Sequence, residues 1–251
     1  MATISMGQWK TTIWKTAQYV VVQELRPAKI GTHKSMLTSK TFSRIIDKLI
    51  RKRSMNKVII TDVDGVLLNW EDAFITWMEH QGHKRQEGAQ FIYSAGKQFG
   101  MSQSEGHRMV EIFNQSATMG FLPPLRDAQH YMKLLSEKHG YRFIALTSLS
   151  TDQYAKKLRE KNLEKLFGDC WDDVICLATG ADKDKSLTML HHIHPGAYWI
   201  EDKLENLKIG VELGFNGILV EHGYNMGTHE DTSFFTATTW EEIYNHITYQ
   251  H

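Results

Sequence analysis

Asp62-Val63-Asp64 places two carboxylates one residue apart, followed by Gly65, which lets the chain turn away. Carboxylates this close disfavour joint ionisation unless a cation lies between them. Mg²⁺ is the natural occupant, because it takes oxygen ligands and keeps waters that a phosphate can replace. One carboxylate can then attack an electrophile while the other handles a proton. Thr147-Ser148 offers a hydroxyl and a backbone N–H to a phosphate oxygen. Lys185, just ahead of an apolar helical run, offers a compact positive charge to the same group. Glu201-Asp202 would complete a metal site. A lone aspartate at a strand end is ordinarily a helix cap or a turn, but four such features in one order are not explained that way.

These residues need a scaffold that brings distant segments to one edge. Lys57–Thr61 is a short β-branched apolar run, the mark of a buried parallel strand, and it leads directly into Asp62. Further runs of the same kind are Tyr141–Leu146, Val174–Leu177, Ala197–Ile200 and Gly217–Val220. Between them lie helical patterns over Asp127–His139 (ended by Gly140), Tyr154–Lys165, Ser186–Ile193 and Leu204–Leu213. Strands alternating with helices predict an α/β fold, a Rossmann-like parallel sheet with helices on both faces. Ligands of such sheets sit beyond the carboxyl ends of the strands, where Asp62/Asp64, Thr147/Ser148 and Glu201/Asp202 fall. Residues 70–122 read as a small helical cap inserted after the first strand. Trp70, Phe74, Trp77 and Met78 recur at i, i+4, i+7 and i+8, Met109, Ile112 and Phe113 form a second stripe, and Pro123-Pro124 closes the block. The core is then 55–69 with 123–251.

The chain carries 29 Lys+Arg against 29 Asp+Glu, with 41% hydrophobic and 23% charged residues. These are the values of a folded globular protein, so wholesale disorder is not expected. No apolar stretch reaches 18 residues, so no membrane partner is expected. Residues 1–54 hold 11 basic residues against Glu24 and Asp47, a balance of +9 that leaves −9 for the rest. This basic N-terminal extension is rich in Ser and Thr and contains a basic amphipathic segment, Lys40–Arg53. It reads as a mitochondrial or plastid transit peptide, as a solvated basic arm, or as sequence upstream of a start at Met55. Two cysteines, Cys170 and Cys176, make no disulfide framework and fit a reducing, cytoplasmic setting.

Ile59–Leu67 resembles the first motif of the haloacid dehalogenase-like hydrolases, and Ile144–Ser148 the second. Lys185 matches the third and Trp199–Asp202 the fourth. The resemblance implies a Rossmann-like core, Mg²⁺ dependence and a covalent aspartyl-phosphate intermediate. It makes Asp62 the nucleophile and Asp64 the general acid/base, the latter also giving its backbone carbonyl to the metal. Thr147 and Lys185 would hold the phosphoryl group, and Asp202 would anchor the ion. The fourth motif reads Glu-Asp rather than the commoner Asp-Asp, leaving open whether Glu201 or Asp202 ligates directly. Lys183 rivals Lys185 for the third motif; Lys185 is preferred because it directly precedes the apolar helix Leu187–Ile193.

Asp64–Trp70, the Thr147-Ser148-Leu149 turn and Ile200–Lys203 are similar to the 5′(3′)-deoxyribonucleotidases. That narrower resemblance implies a nucleotide substrate, with Ser148 beside it and cap aromatics closing over the base. Trp70, Phe74 and Trp77 are the candidates; plain helix packing is the competing reading of the same stripe. The leading function is therefore a phosphomonoesterase on a small (deoxy)nucleoside monophosphate, and a homodimer is compatible with it. The alternatives are a phosphatase of another small metabolite or of a nucleic-acid 3′ end, a phosphomutase, and a catalytically silent binding module. His191, His192 and His194 read as a solvated helix end. His222–Gly227 should border the site, with no chemistry assigned.

Overall fold

The computed structural model describes residues 57–227 and 232–249. The basic extension 1–54 and Met55 lie outside the described residues. The strand at Val58–Thr61 (β1) forms because its β-branched side chains are covered on both faces of a sheet. Arg142–Thr147 (β2), Trp171–Cys176 (β3), Tyr198–Glu201 (β4), Asn216–Val220 (β5) and Phe235–Ala237 (β6) join it. All pairings are parallel and the spatial order is β3-β2-β1-β4-β5-β6. The order reverses between β1 and β4, so their carboxyl ends flank the crevice where ligands of such sheets bind.

Alternation along the strands builds two hydrophobic layers. Ile59, Phe143, Ala145, Ile200 and Ile218 face one side. There they pack under helices Ala128–His139 (α4), Gln153–Phe167 (α5) and Trp240–Tyr249 (α8), which contribute Met132, Leu163 and Trp240. Val58, Ile60, Ile144, Leu146 and Trp199 face the other side. Leu187 of helix Asp184–Ile193 (α6) and Leu207 of helix Leu204–Leu213 (α7) cover them. The α/β expectation holds, with boundaries shifted by a few residues. Gly140 closes α4 at φ 71°, and Asp152 caps α5 by accepting from the Ala155 N–H. β6 and α8 have no counterpart among the elements predicted from sequence.

The segment 70–122, between β1 and α4, is built from several short helices. It holds helices Trp70–His80 (α1), Ala95–Gln98 (α2) and Gln103–Asn114 (α3), with 3₁₀ turns at Ala89–Phe91 and Ala117–Gly120. Asn69 caps α1, and Ser102 with Glu105 forms a capping box on α3. An aromatic cluster of Trp70, Phe74, Trp77, Phe99 and Phe113 holds this insertion together. Among the described residues, no helix is long and apolar enough to cross a membrane.

Candidate active site

Asp62 directly follows β1, and its backbone N–H donates to the Ile200 carbonyl of β4 at 2.8 Å, so the two strand ends are tied at the switch point. Gly65 is required at the turn that follows. Its φ is +79°, and a Cβ there would lie 2.5 Å from Asp202 Oδ2. Asp62 and Asp202 are buried, 8% and 6% exposed, and Glu201 is fully buried.

Lys183, just before α6, fills the space behind them. Its Nζ lies 2.9 Å from Asp62 Oδ1 and 2.8 Å from Glu201 Oε2, over the Trp199 ring. This corrects the third-motif expectation. Lys185, one position into the first turn of α6, is exposed and does not line the site, whereas Lys183 is 1% exposed and touches the candidate nucleophile. The physical reason is local: the first turn of α6 aims Lys183 inward and carries Lys185 to the solvent side.

Glu201 is Lys183's anchor. Its Oε1 accepts from the backbone N–H groups of Asp202 and Lys203, and its Oε2 from Lys183 and Asn206. With both oxygens so engaged, Glu201 is a poor first choice for a metal ligand. Asp202 accepts from the Tyr224 hydroxyl on Oδ2. Oxygens of Asp62, Glu201 and Asp202 all lie within 4.8 Å of one another. Burial pushes the Asp62 carboxyl up to about 8 and the Asp202 carboxyl up to about 6, while Lys183 pulls in the opposite direction. Glu201 is raised by burial too, and the two carboxylates facing Lys183 hold that ammonium firmly protonated. One lysine does not neutralise three buried carboxylates, so the donor set fits a divalent cation between Asp62 and Asp202.

Asp64 takes a different partner. Arg159 of α5, fully buried, grips it with both guanidinium ends, at 2.5 and 2.9 Å. Thr147, at the end of β2, is buried and lines the same cavity. Ser148 also lines it, but its hydroxyl donates to the Ala181 carbonyl at 2.8 Å.

The cavity has a volume of about 660 Å³ and opens between these strand ends and the insertion. Asp62, Asp64, Thr147, Ser148, Asp202 and Trp70 border it together. Phe74 and Trp77 do not: Phe74 is 2% exposed in the aromatic cluster, and Trp77 packs beside it on Phe113. Trp70 is itself held, stacked on Phe74 at 4.7 Å and donating to Asn114 at 2.9 Å. The aromatics at the opposite rim come from elsewhere. Tyr224 stacks on His222 at 5.1 Å and meets Tyr93 of the insertion edge-on at 5.2 Å. Asn225 fixes their loop by donating to the Asp202 and Val220 carbonyls. His222–Gly227 thus borders the site as expected, and Tyr224 reaches a candidate metal ligand.

No protein-family model matches the chain. An uncharacterized 32.4 kDa protein from the Gp30-rIII intergenic region of Enterobacteria phage T4 is 29% identical over 137 residues. The match covers 52% of this chain and 48% of the phage protein, so the chain spans about half of that relative's length. Solved structures match over more of the chain. A haloacid dehalogenase-like family hydrolase from Streptococcus pneumoniae aligns at TM-score 0.55 and 14% identity, over 77% of this chain and 99% of that one. D,D-heptose 1,7-bisphosphate phosphatase from B. bronchiseptica, complexed with magnesium and phosphate, aligns at 0.51 and 12%, over 78% and 99%. An L-2-haloacid dehalogenase aligns at 0.50 and 15%, over 77% and 100%. The parallel sheet with its helices is therefore the α/β fold of the haloacid dehalogenase-like hydrolases, a fold that carries both phosphatases and dehalogenases.

Proposed function

We propose that this chain is a Mg²⁺-dependent phosphomonoesterase that works through an aspartyl-phosphate on Asp62, with a (deoxy)nucleoside monophosphate as substrate. The observation that carries the reading is Asp62 at the β1/β4 switch point, ion-paired to buried Lys183 and facing a cavity it shares with Asp64 and Thr147. A dehalogenase would have no use for a second acid two residues on that can give a proton to a leaving alkoxide, and Asp64 occupies that position.

An Asp62 carboxylate oxygen attacks phosphorus, and the bond from phosphorus to the leaving oxygen breaks. The Asp64 carboxyl gives its proton to that oxygen. Water then attacks the acyl-phosphate and loses a proton to Asp64, and the Asp62 carboxylate returns as inorganic phosphate departs. Thr147 and Lys183 present a hydroxyl and an ammonium to the phosphoryl oxygens. Asp62, Asp202 and the Asp64 backbone carbonyl would hold Mg²⁺, which supplies charge to the phosphoryl group and screens the carboxylates from the incoming anion.

A nucleoside is favoured as the leaving group by the cavity's size and walls. About 660 Å³ lies within the range of small-molecule sites. Trp70, Tyr93 and Tyr224 offer rings, and the exposed Gln103 offers an amide donor and acceptor, as a purine or pyrimidine edge requires. The test is phosphate release across deoxynucleotides, ribonucleotides, sugar phosphates and a 3′-phosphorylated oligonucleotide, with and without Mg²⁺. Preference for a sugar phosphate or for the oligonucleotide would overturn the nucleotide reading, and no release from any ester would overturn the phosphatase reading.

A further inference from the structure

Acidic side chains dominate the charged part of the cavity wall: Asp62, Asp64, Glu71, Asp72 and Asp202 all border it. Among the described residues, Arg126 is the one lysine or arginine that does. It stands in the strap that leads out of the insertion into α4, at φ 45°, the one non-glycine among the described residues with a positive φ. A turn that needed only this backbone would form at lower cost with Gly or Asn. The strap is pinned on both sides of it. The Leu125 N–H donates to the Leu67 carbonyl at 2.7 Å, and the Asp127 carboxylate accepts from the Trp240 and Glu241 N–H groups at 3.0 Å. Fixed surroundings of this kind are what keep a strained residue in place. The side chain crosses the carboxyl ends of β5 and β6. There Nη1 donates to the Thr238 carbonyl, and Nη2 to the Glu221 carbonyl at 3.2 Å. These bonds use two of its five N–H donors and leave three. Among the described residues, no carboxylate forms an ion pair with Arg126, whereas Glu71 has Arg85 and Asp64 has Arg159.

We propose that Arg126 is a specificity-determining residue that takes a second phosphate, carried by the leaving group of the ester that Asp62 attacks. The proposal rests on the phosphatase reading and extends its substrate class from a nucleoside monophosphate to a nucleoside that bears two phosphates. The guanidinium sits at the same edge of the sheet as Asp62, the edge where ligands of such folds bind. His222 lies between them, its Nε2 donating to the Gly65 carbonyl at 2.6 Å. Burial first, and the Arg126 charge after it, hold that imidazole below the usual histidine range, so the field of Arg126 reaches the cavity wall. Two neutral carbonyls fix the guanidinium but leave its charge uncompensated. A phosphate compensates that charge through short charge-assisted bonds, which a neutral hydroxyl or amide does not. An anionic group placed against Glu71 or Asp72 is repelled instead, so the same wall that attracts at Arg126 also sets the direction in which the leaving group lies.

The experiment measures kcat/KM in Mg²⁺ for a deoxynucleoside 3′,5′-bisphosphate and for the matching 5′-monophosphate. A sugar bisphosphate and its monophosphate form a second pair, which reads the second phosphate without the base. The wild-type protein should prefer the nucleoside bisphosphate to the monophosphate by about 10- to 150-fold, the range of hydrogen bonds to a charged group. Arg126→Gly, which suits the positive φ, should bring that ratio to within about 3-fold of 1. Arg126→Lys, which keeps the charge but not the planar fork, should retain part of it. A residue that merely ties the strap to Thr238 and Glu221 would lower kcat/KM for both members of a pair and leave their ratio intact, a result that overturns the proposal. A wild-type ratio near 1 in both pairs overturns it without any variant, so the test stands even where Arg126→Gly does not fold. A wild-type preference confined to the sugar pair would keep the second phosphate on Arg126 and overturn the nucleoside as its carrier. A wild-type protein that hydrolyses none of the four esters overturns the phosphatase reading itself, a result distinct from an active protein indifferent to the second phosphate.

Discussion

At the scale of single residues, the site turns on which groups touch Asp62. Asp62→Asn should abolish phosphate release while leaving the fold intact, because an amide of nearly the same shape does not attack phosphorus. Measurable turnover in a normally folded Asp62→Asn protein would remove Asp62 from the nucleophile's role. The two lysines make a sharper comparison. Lys183→Met strands Glu201 and Asp62 as buried carboxylates without their ammonium, a change that costs about 3–5 kcal/mol when one partner of a buried pair is lost. Lys185→Met removes an exposed side chain, so a stability change within about 0.5 kcal/mol and unchanged kcat are expected. Denaturant titration and steady-state kinetics of the two variants check both. The lysine pair also marks where sequence stops being informative. Both stand two residues apart at a helix start, and only the geometry of that first turn decides which enters the core. Arg159 left a faint trace, a charged residue at an apolar stripe position, but its partner Asp64 is 95 residues away and no local pattern joins them. Asp62, Asp64, Thr147 and Asp202 were legible because strand ends announce themselves by an apolar β-branched run stopping at a polar residue.

At the scale of elements, the insertion meets the core through α5 and also on two sides of the cavity. One contact is Asn114 of α3, which accepts from Trp70 and donates to the Leu149 carbonyl after β2. The other is the loop after β5, where a Cβ on Gly223 would sit 2.5 Å from the Gln90 carbonyl oxygen. Gly223→Ala must therefore push the loop and the insertion apart, and Tyr224 rides on the same loop with its hydroxyl on Asp202. The expected result is a destabilisation of about 1–3 kcal/mol, as for overpacking elsewhere, together with a several-fold rise in the Mg²⁺ concentration that gives half-maximal activity. An unchanged Mg²⁺ requirement would mean that Tyr224 does not support the metal ligand. The elements themselves were uneven in sequence. The five longer strands and α4–α7 carried clear periodicity, whereas β6 has only three residues, Phe235–Ala237, too few for alternation to register. The aromatic stripe of α1 left two readings open, because helical spacing places Trp70, Phe74 and Trp77 on one face without saying whether that face is the insertion's own core or the cavity wall; the structure puts Trp70 on the cavity and Phe74 and Trp77 in the aromatic cluster.

At the scale of the whole molecule, buried titratable groups set opposing slopes of stability with pH. Burial lowers the imidazoles of His222 and His246, so the fold prefers them neutral. A depressed histidine contributes stability that is present above its unfolded value and lost as pH falls, so these residues weaken the protein on the acid side of about 6.5. Asp62 and Asp202 act in the other direction. Their folded values are raised to about 8 and about 6, so without a cation the fold prefers them protonated, and their contribution is lost as pH rises from about 4 toward 8. The cation-free protein should accordingly be most stable on the acid side of neutrality, between about 4, where the two carboxyls begin to lose their contribution, and about 6.5, where the imidazoles have become neutral. A divalent ion between Asp62 and Asp202 removes the alkaline loss, since it replaces the proton as the partner of both carboxylates. Binding at about 100 times the dissociation constant adds about 2.7 kcal/mol, or roughly 5–10 °C in Tm for a domain of this size. At pH 6 the ion must first displace a proton from Asp62, which costs about 1.4 kcal/mol for each pH unit below that group's value. The Mg²⁺-induced rise in Tm should therefore be full at pH 8.5 and nearly absent at pH 6 for the same Mg²⁺ concentration, and Asp202→Asn should reduce it at pH 8.5. Differential scanning calorimetry with and without Mg²⁺ at the two pH values measures this directly. A rise in Tm that is independent of pH, or that survives in Asp202→Asn, would place the ion away from these carboxylates.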